Sequence, residues 1–233
     1  MNQVETAAVR TEGVWKIFQQ EAEEVTAVRD VSLTIDRGEF TALAGPSGSG
    51  KTTLLNTIGG LTRVTRGNVW VAGQNVTDMS NQALAQLRLN EIGFIFQAYN
   101  LLPVLSAMEN AEFPMLLQGV DAADRRARVR ELFERTGMSG LEDRRPGKLS
   151  GGQQQRVAVV RAVASRPALV LADEPTANLD SASSEALLEM MAELNRELGV
   201  TFVFATHDEH VMERSKRLVR MVDGRIDSDE LRT

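Results

Sequence analysis

A chain of 233 residues with 42% apolar content is long enough to bury the core of one large α/β domain, or of a core with a small subdomain. The absence of cysteine excludes a disulfide framework, a thiolate metal site and a thiol nucleophile, and fits a reducing compartment. A net charge of −6 argues against a nucleic-acid partner, because sequence-independent binding needs a basic surface.

The opening Met1-Asn2-Gln3-Val4-Glu5 lacks a basic stretch followed by an apolar one, so no signal peptide is expected, and no run approaches the length that crosses a bilayer. Strand-like runs follow at 25–35 and 40–44, then a helix at 51–58. Residues 67–73 alternate and end in glycine, as a short strand with a turn does. From about 84 to 165 the pattern is mostly helical, broken by Pro103, Pro114, Gly119 and Pro146-Gly147. Within it, Arg125, Arg126, Arg128 and Arg130 read as the solvated face of a helix that buries Val129, Leu132 and Phe133. Unbroken apolar runs at 168–172 and 201–205 suit parallel strands buried on both faces, with a helix at 183–198 between them. A last hairpin at 217–226 is closed by Asp223-Gly224. The organisation is a core (about 1–86 and 166–233) interrupted by a helical insert (about 87–165).

Three segments carry chemistry. Gly45-Pro46-Ser47-Gly48-Ser49-Gly50-Lys51-Thr52 has the spacing of a phosphate loop, in which inward-turned backbone N–H groups cradle a nucleotide's phosphates. A buried strand before it and a helix after it are the context such a loop needs. Lys51 is expected on the β and γ phosphates, Thr52 on Mg²⁺, and Thr53 beside it on the nucleotide. In the second segment, Leu169 to Glu174, a buried strand ends in two carboxylates at the ligand-binding edge of a parallel sheet. Asp173 is expected to hold hydrated Mg²⁺, and Glu174 to accept a proton from the water that attacks the γ-phosphate. The third is Leu149-Ser150-Gly151-Gly152-Gln153, where Ser150 is a suitable N-cap and two glycines let backbone amides approach an anion.

That third segment matches, without a mismatch, the signature of the ATP-binding-cassette (ABC) proteins. The chain resembles their nucleotide-binding subunits over about residues 14–226, with every motif in the family's order. The resemblance implies an α/β fold with a P-loop NTPase core of mixed, largely parallel sheet, an N-terminal antiparallel β subdomain and an inserted α-helical subdomain. It also implies an ATPase using ATP and Mg²⁺, in which two copies pack head to tail so that Ser150, Gly151, Gly152 and Gln153 of one close over the γ-phosphate held by the other. By the same resemblance Gln97 contacts Mg²⁺ and the attacking water, His207 touches the γ-phosphate, and Asp180, in Asn178-Leu179-Asp180, communicates across the dimer. Phe18 is the candidate for stacking on adenine and Trp15 the alternative; the long acidic stretch 19–24 makes this the loosest part of the match.

The stretches 92–103, 106–110 and 172–180 resemble the branch serving lipoprotein release, macrolide export and cell division, with Ala177 where glycine is frequent. In that branch the ATPase sits on the inner face of the cell membrane, bound to a permease with a large extracytoplasmic domain. The segment after Gln97 forms part of the groove that receives the permease. Two other readings stay open: an ATPase that regulates an extracytoplasmic or cell-division machine without moving a solute, and a soluble relative acting on DNA or ribosomes.

Overall fold

The computed structural model describes residues 7–20 and 23–232. The Met1–Glu5 opening therefore lies outside the described residues, as do Glu21 and Ala22 of the acidic stretch.

The chain opens with β1 (Ala7–Gln20) and β2 (Glu23–Asp36), which pair antiparallel. Past Asp30, whose left-handed φ of 54° marks an irregularity in the ladder, Val31, Leu33 and Ile35 alternate inward, the period-two pattern of a strand with one buried face. With β4 (Arg66–Val71) and β5 (Gln74–Asn75) they form a four-stranded antiparallel sheet in the order β2-β1-β4-β5.

The second sheet is the core. It contains β3 (Phe40–Ala44), β6 (Ile92–Ile95), β7 (Leu169–Asp173), β8 (Phe202–Thr206), β9 (Arg217–Val222) and β10 (Arg225–Leu231), in the order β10-β9-β3-β8-β7-β6. Only β10 runs antiparallel to its neighbour. Because β3, β7 and β8 are covered on both faces, they read as continuous apolar runs, and their alternate residues feed two separate cores. Phe40, Val170, Ala172, Phe202 and Phe204 point to one face. There they meet α5 (Gly151–Ala164) and α6 (Ser181–Leu198), with the Phe40 and Phe204 ring centroids 4.6 Å apart. Leu43, Leu171, Val203 and Ala205 point the other way, onto α1 (Lys51–Ile58) and the antiparallel sheet.

Parallel register then fixes the site. Ala44 lies opposite Thr206, Asp173 opposite Ala205, and Ile95 opposite Ala172. The residues leaving the C-terminal ends of β3, β6, β7 and β8 therefore emerge on one edge.

The expectation for 84–165 needs one correction. The helix α2 (Asn81–Glu91) runs directly into β6, a strand of the core sheet, before α3 (Ala107–Leu117), α4 (Ala122–Arg135) and α5. Ile-Gly-Phe-Ile is only four residues long and nothing punctuates the junction, so no turn signal separates helix from strand. The arginine cluster needs another. Arg125 does not lie on a solvated face: its Nε donates to the buried Glu112 at 3.1 Å, and its side chain is only 15% exposed. Arg128 is similarly enclosed, at 11%, and pairs with Glu131. Both stand close in helical phase to Val129 and Leu132, so a helical repeat carries their stems inward.

Candidate nucleotide site

The phosphate loop links β3 to α1, and its backbone conformation is enforced from outside. Gly45, Gly48 and Gly50 have left-handed φ of 151°, 82° and 97°. A Cβ on Gly45 would stand 2.2 Å from the Met221 carbonyl oxygen, and one on Gly50 2.2 Å from that of Ala27. The loop is thus pressed between β2 and the C-terminal hairpin. The turn of that hairpin, Asp223-Gly224, has φ of 48° and 78°, and its Gly224 N–H donates to the Ser49 carbonyl at 3.0 Å. The sequence identified this turn as a hairpin closure, but gave no sign that it braces the nucleotide loop.

Lys51 is buried, and its Nζ donates to the carbonyls of Gly45 and Pro46 at 2.8 and 3.0 Å, which holds the ammonium along the inside of the loop. Pro46, Ser47 and Gly48 are exposed. Ser49 Oγ is buried and has no hydrogen-bond partner among the described residues. An unmet hydroxyl beside left-handed glycines and the N-terminus of α1 suits a bound polyanion.

Thr52 Oγ1 donates to Asp173 Oδ1 at 2.9 Å, which joins the loop to the end of β7. Burial pushes the Asp173 carboxyl above its ordinary range and the neighbouring Glu174 adds to this, while the Thr52 hydrogen bond and Lys51 pull the other way. A hydroxyl and a partly desolvated carboxylate are hard oxygen donors, the set that suits Mg²⁺ together with phosphate oxygens.

Glu174 has φ of 45°, a left-handed conformation that costs a non-glycine residue about 1–3 kcal/mol. Three contacts hold it there. Its N–H donates to the Ala205 carbonyl at 2.9 Å, Thr206 Oγ1 donates to Glu174 Oε2 at 3.2 Å, and Glu174 Oε1 lies 2.6 Å from His207 Nδ1. That separation is a hydrogen bond, in which the ring nitrogen is the donor whenever the carboxylate is ionised. The carboxylate is 18% exposed and the imidazole 64%. His207, expected at the γ-phosphate, is here turned toward Glu174. Thr176 Oγ1 donates to Asp208 Oδ2 at 2.8 Å and fastens the loop after Glu174 to the segment after β8.

Gln97, which follows β6, is exposed, and its carbonyl accepts from Asn178 Nδ2 at 2.8 Å. Asp180 caps α6, accepting from the Ser183 amide and hydroxyl at 2.9 and 2.7 Å, which lowers its carboxyl pKa. Phe18 is 37% exposed, with the Lys16 ammonium 4.7 Å from its ring centroid. It pairs with Val25, two residues before the Ala27 that abuts Gly50. Trp15 pairs with Arg66 of β4, and the two aromatics flank the stretch of β1 that lies opposite Ala27.

The signature segment caps α5 as its residue types require. Ser150 Oγ accepts from the Gln153 amide at 3.3 Å and Gln153 Oε1 accepts from the Ser150 amide at 2.9 Å, a reciprocal capping box. The amides of Gly151 and Gly152 stand in the first turn, without intrahelical partners. The atoms nearest a Cβ on either glycine belong to Tyr99, Leu179 and Ser183, none of them in the phosphate loop. One residue that sequence reading missed is Gln155, fully buried, whose Nε2 donates to the Pro175 carbonyl at 2.7 Å. No pattern distinguishes it from the adjoining glutamines.

A phosphate loop at one end of a parallel sheet, with paired carboxylates on the next strand but one, defines a P-loop nucleotide-binding fold. The family model for "ABC transporter" matches residues 28–177, and the chain belongs to that family as an ATP-hydrolysing cassette. Among its relatives is the lipoprotein-releasing system ATP-binding protein LolD of Anaeromyxobacter dehalogenans, 45% identical over 227 residues, covering 97% of this chain and 95% of that one. Another is the macrolide export ATP-binding/permease protein MacB of Bradyrhizobium diazoefficiens, 47% identical over 207 residues, covering 89% of this chain but only 32% of that protein. Among solved structures, the dimeric post-hydrolysis ATP-binding cassette MJ0796 bound to ADP and Pi superposes with a TM-score of 0.87 at 38% identity, covering 96% of this chain and 98% of the other.

Proposed function

We propose that this chain is the ATPase subunit of a transporter of the lipoprotein-release or macrolide-export type, and that it works as a head-to-tail homodimer with two composite nucleotide sites. The observation that carries the reading is the distribution of the motifs. One protomer holds a braced phosphate loop open to solvent, while its capped signature turn is packed against its own Tyr99, Leu179 and Ser183. Each half is built, and neither closes over the other within the chain.

In the proposed cycle, residues Gly45 to Thr53 bind the triphosphate, with Lys51 on its outer oxygens and Phe18 against the base. Thr52, Asp173 and Gln97 are the residues that would hold Mg²⁺, which supplies charge neutralisation at the β and γ phosphates. Glu174 accepts the proton of the attacking water, and His207 holds that carboxylate in place through Nδ1. Ser150, Gly151, Gly152 and Gln153 of the second copy cap the γ-phosphate with the N-terminus of α5, and Asp180 answers across the interface. Hydrolysis cuts the bond that joins the γ-phosphate to the nucleotide held by the loop, and departure of the phosphate lets the closed dimer reopen. ATP drives closure only to the extent that it binds the closed state more tightly than the open one.

An apolar groove of about 350 Å³ beside the Gln97 segment, lined by Leu61, Leu89, Phe94, Phe96, Phe113 and Leu117, supports a permease partner. Leu117 is 59% exposed there. No helix among the described residues is long and apolar enough to cross a membrane, so in this reading the chain reaches the inner face of the membrane through that partner. In this reading the core comprises about 1–86 and 166–233 together with β6, and the helical insert is the rest of about 87–165.

The test is Glu174→Gln. It retains Mg-ATP binding, loses about 100- to 10,000-fold in turnover, and elutes as a dimer only with ATP. Wild-type turnover in this variant would remove Glu174 from the chemistry.

A further inference from the structure

Three segments of one protomer meet at Gly151. The Tyr99 hydroxyl stands 2.9 Å from where a Cβ on Gly151 would be, and the Leu179 side chain 3.9 Å. The same hydroxyl donates to the Asn178 carbonyl at 3.4 Å, and Asn178 Nδ2 donates back to the Gln97 carbonyl at 2.8 Å. From the last turn of α5, Arg161 donates to the carbonyls of Tyr99 and Asn100 at 2.9 and 2.6 Å. The segment 97–100 is therefore fastened to both ends of α5 and to the loop before Asp180. Asn100 and Arg161 also line the apolar groove, so this knot lies between the groove and the signature turn.

We propose that Tyr99 is a positioning residue for ATP hydrolysis. Its hydroxyl sets the Gln97 segment, the signature turn and the Asn178–Asp180 loop in one register, so that displacement at the groove is felt at the turn that caps the partner's nucleotide. It touches no reacting atom and acts through Gly151 and Asn178. This rests on the shared-site reading above. The aromatic ring alone fills space; the hydroxyl is what reaches both the glycine and the carbonyl, so removing one oxygen separates positioning from packing.

Tyr99 is the chain's single tyrosine, which makes it directly observable. The full chain is labelled with 3-fluorotyrosine in the Glu174→Gln background, and its one fluorine resonance is recorded by NMR without and with Mg-ATP while dimerisation is followed by size-exclusion chromatography. The resonance moves together with dimer formation. In parallel, Tyr99→Phe in the otherwise unaltered chain keeps its melting temperature and its ATP affinity as a monomer, but loses about three- to tenfold in turnover at saturating ATP, the share of one hydrogen bond. Gly151→Ala supplies a second readout: because its new methyl collides with the Tyr99 hydroxyl, combining it with Tyr99→Phe costs less than the two single losses together. If Glu174→Gln fails to dimerise with ATP, the shared-site reading falls and takes this inference with it. If it dimerises while the fluorine resonance stays still and Tyr99→Phe turns over at the wild-type rate, the inference alone is overturned. Equal losses of melting temperature and turnover in Tyr99→Phe also overturn it, in favour of simple packing.

Discussion

The phosphate loop and the signature turn are both anion-binding ends of helices, but different forces shape them. At the loop, distant backbone does the work: Ala27 of β2 and Met221 of β9 press on Gly50 and Gly45, and Gly224 donates to Ser49. The conformation is held by strands that would survive changes in the loop's own polar side chains. At the signature turn the shaping is local, a reciprocal bond between Ser150 and Gln153, with Tyr99, Leu179 and Ser183 packed against it. A cradle fixed by the fold and a cap fixed by its own side chains fail in different ways when altered.

The largest effect is expected at the cradle. Lys51→Ala removes the one buried cation of the loop and weakens ATP binding by about a hundredfold or more, the scale of two charge-assisted hydrogen bonds, measured by titration of the monomer. Gly224→Ala follows. Its φ of 78° and a Cβ 2.9 Å from the Ala27 carbonyl oxygen set a cost of about 1–2 kcal/mol in stability. That variant also binds ATP more weakly, although residue 224 lies outside the motif. Unchanged affinity there would show that the brace does not shape the loop. Ser150→Ala costs about 1 kcal/mol of stability through the lost cap, lowers dimer turnover and leaves monomer affinity intact. A fall in monomer affinity would erase the distinction between cradle and cap.

The smallest effect is a pH dependence. Burial raises the Asp173 carboxyl, so that group favours the fold below the ordinary carboxylate range and loses its contribution as pH climbs through the raised value. Without nucleotide, Asp173→Asn therefore melts higher than the parent chain at about pH 7, and the gap closes toward about pH 4. A gap that widens on acidification reverses the sign and the cause.

Where the sequence carried a local signal, it predicted well. Helix Lys51–Ile58 begins and ends where its pattern does, Ser150 caps α5, and Asp223-Gly224 closes the hairpin with two left-handed residues. What stayed hidden was long-range. The strand β1 is interrupted by register shifts around Gly13, which blur alternation, and β6 is too short to announce itself. The sequence reads Arg125 as solvated because its counter-charge, Glu112, sits on another helix. Tyr99, Gln155 and Arg161 act through backbone carbonyls, and a carbonyl leaves no trace in residue type.

The direct measurement is complementation. Lys51→Ala and Ser150→Arg chains are each inactive alone; mixed in equal amounts, they form heterodimers in which one site joins an intact loop to an intact signature turn. The mixture then regains up to about a quarter of the unmodified turnover, since half the dimers are mixed and each has one working site. A mixture no more active than either variant contradicts a nucleotide site shared between two copies.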